Sequence, residues 1–356
     1  MGTRPNFIKV TRFKELGLKQ GIDVQIIHTG QHYDANMSHV FFDQFGLRPD
    51  HFLNLEKSSP LGQISGVIEG FEQLYRHIKK PQLIIVPGDV NSTLAGAVAA
   101  NKMGIPLAHL ESGLRSFQRD MPEEHNRVVA DHLSDFCFVT EDSGMQNLVR
   151  ENIAAKSFHV GNTMIDTLVK FSNKIDASSI LDELHIQPKN YYLVTFHRPE
   201  NVDSAEKLKV LLSILNTLSA HRKVVFPVHP RTSNNLKKFG LWDKVENNPK
   251  LILGEPMGYF EFQKLIAESK AVFTDSGGIQ EETTFRQVPC ITLRKSTERP
   301  VTSVMGSNTL INLIESEVAE QMQTIESEGY KKGEIPPLWD GKTTERILAI
   351  LDEELF

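Results

Sequence analysis

Acidic and basic side chains recur in this chain just after short apolar runs. The stretch TDSGGIQEE, Thr274 to Glu282, follows the run AVF. Small residues at a strand-to-helix turn expose backbone N–H groups at the positive end of the new helix, which suits a phosphate. Gly277 and Gly278 let the backbone approach a ligand closely. Ser276 adds a hydroxyl, and Glu281 or Glu282, one turn on, can reach hydroxyls beside the phosphate, as a carboxylate reaches a ribose. Comparable positions carry Arg4 in GTRPNFIK, Gln31 and His32 in HTGQH, Asp89 in PGDVNST and Glu111 in LESGLR. Glu123, Glu124 and Arg127 follow in MPEEHNR; His197 and Arg198 stand in FHRPEN, His229 and Arg231 in VHPRT, and Arg299 in STERP. Taken singly, Asp89 fits a helix cap, Glu111 a loop acid, Glu123 and Glu124 first-turn helix acids, and His229 a strand-end histidine. Their joint occurrence after successive apolar runs points instead to a site.

The elements that must position them alternate. VQIIH (24–28), LIIVP (83–87), PLAHL (106–110), FCFVT (136–140) and FHVGN (158–162) read as strands, with helical stretches at 61–79, 91–103 and 125–135. A second series, YYLVTF (191–196), KVVFPV (223–228), LILG (251–254), AVFT (271–274), PCITL (289–293) and NTLIN (308–312), is separated by helices such as 203–220 and 258–269. Such alternation predicts parallel sheets covered on both faces. The fold class expected is α/β: two Rossmann-like, doubly wound domains. The first spans 1–165 and the second 166–342, with an amphipathic helix at 343–356. GTRPNFIK enters a helix with no strand before it, so a strand of about five or six residues is expected ahead of it. Ligands of open α/β sheets gather at the carboxyl ends of strands. The first domain offers mainly carboxylates there, the second histidines, arginines and a helix N-terminus. A nucleoside diphosphate joined to a sugar suits that division, with the diphosphate on the basic wall and the sugar on the acidic one.

Composition bounds the alternatives. The 356 residues are 40% apolar and 24% charged, with net charge −6, which argues against broad nucleic-acid binding. No apolar run is long enough for a membrane span, and the start has no secretory h-region. Cys137 and Cys290 sit in apolar runs, as reduced cytoplasmic thiols do. No metal-spaced Cys/His set and no GxGxxG is present, so neither a metal nor a dinucleotide cofactor is expected.

The segments GTRPNFIK, TGQH, GDVNSTLA, LESGLRS, MPEEHNR, HRPEN, FPVHPRT, EPMGYFEF, TDSGGIQEE and LRKSTERP occur in the order seen in one family. The chain resembles the non-hydrolysing UDP-N-acetylglucosamine 2-epimerases from residue 2 to about 312. The resemblance implies a glycosyltransferase-B architecture with ligand in a cleft, a C-terminal helix returning to the first domain, and a cytoplasmic homodimer. It implies reversible conversion of UDP-N-acetylglucosamine to UDP-N-acetylmannosamine for polysaccharide precursors. By resemblance Asp89, Glu111 and Glu123 are the catalytic carboxylates, and His197 lies at the reacting centre. Arg4, His229, Ser276 and Gly277 would hold the diphosphate, with Gly278 and Arg198 beside them. Glu282 would bind ribose hydroxyls, Phe262 would lie by the uracil, and Lys9, Arg127 and Arg299 would complete the site. Gln31 and His32 match an effector site at which some bacterial members bind a second substrate molecule.

Departures from the family pattern are Asn6 where glutamate is common, Ser112 where a smaller residue is common, and NTLIN where a Val-Gly ending is more usual. The arginine usual in the helix after TGQH is not evident in LGQISGVIEG. Arg299 and Pro300 favour the simple sugar over a diacetamido uronic acid. The alternatives are a hydrolysing epimerase releasing N-acetylmannosamine, a sugar transferase of the same architecture, and a nucleotide-sugar-binding protein without turnover.

Overall fold

The structure is a computed structural model and describes residues 1–30, 42–53 and 59–355. The chain forms two compact units, Met1–Lys170 with Pro337–Phe356, and Phe171–Pro336. The first unit thus runs through 170 and regains the chain at 337, where the sequence suggested 165 and 343. Helix contacts set these limits. Thr167 donates to the Ile8 carbonyl at 2.6 Å, and the buried Asp166 accepts the backbone N–H groups of Thr343 and Thr344. Trp339 also bonds the Thr140 carbonyl.

In the N-terminal unit, β1 (Ile27–His28) pairs in parallel with β2 (His51–Phe52). A separate parallel sheet runs β3 (Ile84–Pro87), β4 (Leu107–Leu110), β5 (Phe136–Val139) and β6 (Lys156–His159) in that order. β1 is shorter than the run 24–28 suggested, because β2 is its one partner among the described strands. Helices α1 (Arg4–Val10) and α2 (Phe13–Lys19) open the chain. They are followed by α3 (Pro60–His77), α4 (Asn91–Met103), α5 (Pro122–Leu133) and α6 (Thr163–Lys170). Both faces of the four-stranded sheet are covered. On one face Val67 and Phe71 of α3 and the alanines of α4 meet Ile84, Val86 and Leu107. On the other Phe13 and Leu16 meet Ala108, Leu110, Phe136 and Phe138, with Ile347, Leu348 and Leu351 of the C-terminal helix. Burial on both faces explains why these strands read as continuous apolar runs.

The C-terminal unit holds six parallel strands: β7 (Tyr191–Thr195), β8 (Lys223–Pro227), β9 (Leu251–Gly254), β10 (Ala271–Thr274), β11 (Cys290–Leu293) and β12 (Asn308–Ile311). Their order is β12-β11-β10-β7-β8-β9. The winding reverses between β7 and β10, which leaves a crevice at their carboxyl ends, where α/β proteins of this winding bind ligands. Helices α7 (Ala205–His221), α8 (Pro230–Lys238), α9 (Tyr259–Glu268), α10 (Gly277–Arg286) and α11 (Glu315–Glu326) cover the sheet, and α12 (Thr343–Leu355) belongs to the first unit. No helix among the described residues is long and apolar enough to cross a membrane. Cys137 and Cys290 are both buried and unpaired with each other.

Candidate active site

In the N-terminal unit, the carboxyl ends of β3 and β4 bring two predicted acids onto neighbouring strands. Asp89 follows β3 after Gly88, whose φ of +67° suits glycine. Its Oδ2 accepts from Arg127 Nη2 at 2.5 Å, and it keeps about a fifth of its surface exposed. Glu111 follows β4 with φ 66°, an uncommon backbone for a residue with a side chain. It is buried and accepts from Lys9 Nζ at 2.7 Å, across from α1. A Cβ placed on Gly88 would lie 2.7 Å from that same Nζ, so the glycine is also a matter of room. Strained φ values collect at functional sites, where surrounding structure holds them.

Beneath these acids lies a buried ionic network that sequence reasoning passed over. His109, inside β4, contacts Asp131 through Nδ1 and the Gly88 carbonyl through Nε2, each at 2.7 Å. Asp131 also pairs with Arg115 at 2.7 Å and accepts the Gly113 N–H at 3.1 Å. Burial opposes the Asp131 charge, but His109 and Arg115 outweigh it and hold the carboxyl below its ordinary value. Both partners of the imidazole are oxygens. The available signal was a histidine within an otherwise apolar strand.

Of the two adjacent acids in MPEEHNR, Glu124 turns inward. Its carboxylate accepts from Ser116 N, Ser116 Oγ and Phe117 N at 2.8–2.9 Å, and from Arg127 at 2.9 Å. Glu123 is exposed in the first turn of α5. Arg127 therefore ties Asp89 to the loop that Glu124 braces. Arg4 opens α1, and its side chain lies outside the described set, as do Gln31 and His32.

In the C-terminal unit, Ser276 is the N-cap of α10, and Gly277 and Gly278 form its first turn. A Cβ on Gly277 would lie 2.8 Å from Glu298 Oε1 and 2.9 Å from Arg299 Nη1, so a side chain there would displace an ion pair. Across the switch point, His197 and Arg198 follow β7. Asp275, fully buried, joins the two turns: it accepts from the N–H groups of His197 and Arg198, from Asn201 Nδ2, and from His197 Nδ1 at 3.1 Å. Burial would raise Asp275, yet His197 and these donors hold it below the usual carboxylate range. Arg198 Nε in turn donates to the Asp275 carbonyl. Asp275 was visible in the TDSGG stretch but was not singled out.

His229 caps α8 and is exposed, and its ring centroid lies 5.5 Å from that of His197. Arg299 is buried and pairs with Glu281 at 2.8 Å and with Glu298. Glu282 is buried on α10, and Phe262 is partly buried against the core of this unit. Thus the unit brings His197, Arg198, His229 and Ser276 to one end of its sheet. Arg299 is held chiefly by carboxylates of its own unit. Among the described residues, no group of His, Cys, Asp or Glu is placed to hold a metal ion.

The UDP-N-acetylglucosamine 2-epimerase profile matches residues 14–352. A UDP-N-acetylglucosamine 2-epimerase of Methanocaldococcus jannaschii is 39% identical over 358 residues, covering 99% of this chain and 97% of the relative. The crystal structure of an M. jannaschii UDP-GlcNAc 2-epimerase, in complex with UDP-GlcNAc and UDP, superposes with a TM-score of 0.91 at 38% identity, covering 99% of this chain and 98% of that one. A UDP-2,3-diacetamido-2,3-dideoxy-D-glucuronate 2-epimerase of Pseudomonas aeruginosa is 36% identical, with 99% and 98% covered. The two units with their parallel sheets have the glycosyltransferase-B-like fold of these neighbours. The chain belongs to the UDP-N-acetylglucosamine 2-epimerase family.

Proposed function

We propose that the protein interconverts UDP-N-acetylglucosamine and UDP-N-acetylmannosamine without hydrolysis, by elimination and re-addition of UDP. The observation that carries the reading is the pair Asp89 and Glu111 on adjacent strand ends, each held by a cation, in a chain of this family.

The C2 hydrogen of the sugar is not next to a carbonyl and is barely acidic. Breaking the C1–oxygen bond to UDP builds positive charge at C1, and a carboxylate can then take the C2 proton. The C–H electron pair becomes the C1–C2 double bond of a glucal, and UDP departs with the other pair. Protonation of C2 from the opposite face and return of UDP to C1 complete the inversion. Two faces call for two proton-transfer groups, which is why a set of acids is expected: Asp89, Glu111 and the exposed Glu123. In the C-terminal unit His197, His229, Arg198 and the Ser276 end of α10 supply donors suited to charge on the leaving diphosphate. Glu282 and Phe262 are proposed for the nucleoside, and Lys9 and Arg127 for setting the acids.

An NMR time course of UDP-N-acetylglucosamine in deuterated buffer tests the proposal. The expected result is UDP-N-acetylmannosamine, deuterium at C2 of both epimers, and little free UDP at equilibrium. Stoichiometric UDP with free N-acetylmannosamine would establish the hydrolysing reaction instead, and epimerisation without label would rule out the elimination route.

A further inference from the structure

One turn into α10, Gln280 is fully buried. Its amide is divided between three segments of the C-terminal unit. Nε2 donates to the Ser276 carbonyl at 3.2 Å, at the cap of the helix. Oε1 accepts from Thr297 Oγ1 at 2.7 Å, in the loop after β11, and from Asn308 Nδ2 at 3.0 Å, in β12. Thr297 Oγ1 in turn accepts the Arg299 N–H at 3.1 Å. Three hydrogen bonds thus run in series from the Ser276 carbonyl through Gln280 and Thr297 to the Arg299 backbone. An amide suits that place because its donor and its acceptor are separate atoms. Burying it is costly unless both are satisfied, as they are here.

The two ends that it joins sit in opposed fields. Arg299 is buried, and its Nη1 lies so near the start of α10 that a Cβ on Gly277 would be 2.9 Å away. A helix start is the positive end, where a guanidinium is disfavoured and an anion favoured. Glu281 holds Arg299 Nε at 2.8 Å, and Glu298 is shared between Arg299 and Arg294. Two carboxylates therefore balance two arginines beside the helix end. Gln280 fixes the spacing of helix and loop without adding charge. A carboxylate in its place would offset the positive end that an anion needs.

We propose that Gln280 is a positioning residue that holds the Ser276 end of α10 and the Arg299 loop as one unit, so that both meet the same anion. The identity of that anion, the diphosphate of UDP, rests on the function proposed above. The tie between helix and loop does not.

Variants of the full chain test it: Gln280→Met, Thr297→Val and the two together. Exchange of the Arg299 amide is read without ligand, and UDP affinity by calorimetric titration at fixed salt. Gln280→Met is expected to speed that exchange by about tenfold or more, because the Thr297 hydroxyl that holds the amide has lost its acceptor. It should also weaken UDP binding by about tenfold. Thr297→Val should weaken UDP binding to a similar extent, and the double variant should lie within about twofold of either single one, because all three break one series of bonds. A merely structural glutamine would lower the thermal midpoint yet leave the Arg299 amide protected and UDP affinity within about twofold of the parent; that result overturns the proposal. So do losses that multiply in the double variant, since independent contributions add in free energy. Gln280→Glu guards against a methionine variant that does not fold. It keeps the acceptor for Thr297 and loses the donor to Ser276, so the Arg299 amide should stay protected while UDP binding weakens by about tenfold or more. Parent-like affinity in that variant also overturns the proposal. A parent that does not bind UDP counts against the function proposed above, and the Arg299 amide then still decides whether Gln280 holds the loop.

Discussion

Replacing Asp131 by asparagine keeps the shape of the network under β4 and removes its charge. The carboxylate is fully buried and serves His109, Arg115 and the Gly113 N–H at once. Asparagine can still accept one hydrogen bond, but Arg115 would lose its buried counterion and keep Glu151 alone. Breaking a buried ionic contact by removing one partner costs about 3–5 kcal/mol. For a unit of this size that lowers the melting midpoint by roughly 10 °C. The pH dependence follows from the depressed carboxyl. A group held below its unfolded value contributes stability that is present above the unfolded value, about pH 4, and lost as pH falls through the folded one. The gap between parent and variant should therefore be full at pH 7 and close as pH falls well below about 4. Calorimetry across that range reads it directly. Turnover should fall with little change in KM, because the Gly88 carbonyl that His109 holds sets the backbone leading to Asp89. A variant within about 1 kcal/mol of the parent at pH 7, or a gap that stays constant to pH 3, would refute the ionic account, since loss of packing alone has no such titration.

Glu111→Gln and Asp89→Asn are each expected to slow turnover by about 100- to 10,000-fold with unchanged far-ultraviolet circular dichroism; near-normal rates in either variant remove that residue from the acid–base set. Asp275→Asn should weaken UDP binding by roughly tenfold or more in calorimetric titration, because the His197 and Arg198 turn loses its charged anchor in the turn between β10 and α10. Lys9→Met leaves Glu111 buried without its cation and should cost about 3–5 kcal/mol of unfolding free energy, with Lys9→Arg recovering only part of it.

Much of the architecture was legible because both faces of each main sheet are buried. A doubly buried strand is an uninterrupted apolar run, so Leu107–Leu110 and Cys290–Leu293 announce themselves within a residue or two. Helix 91–103 was read to the residue, since Gly104 ends it in the left-handed conformation. β1 was overestimated at 24–28 because apolar character says where a strand could lie, whereas pairing decides how far it runs. The strand order could not be read at all. Order depends on which edges meet, and nothing local in VQIIH or LIIVP distinguishes the lane beside β1 from the lane beside β4.

The candidate site was legible in the residues at its strand ends and opaque in their supports. Asp89, Glu111, His197 and Ser276 stand out because polar residues directly after apolar runs have few structural excuses. The groups that hold them look ordinary in sequence. Asp275 sits among small residues that suggest only a turn, and Asp131 lies on a helix rich in charge. The pair Glu123 and Glu124 shows the limit most sharply. Neighbouring residues on a helix point about 100° apart, so one can brace the 116–117 loop while the other faces solvent. The phase of α5 is set by Ala130 and Asp131 packing inward a full turn or more later. Glu124 is thereby committed to Ser116, Phe117 and Arg127. Glu123 is left without that duty at the same helix end, its side chain exposed to solvent.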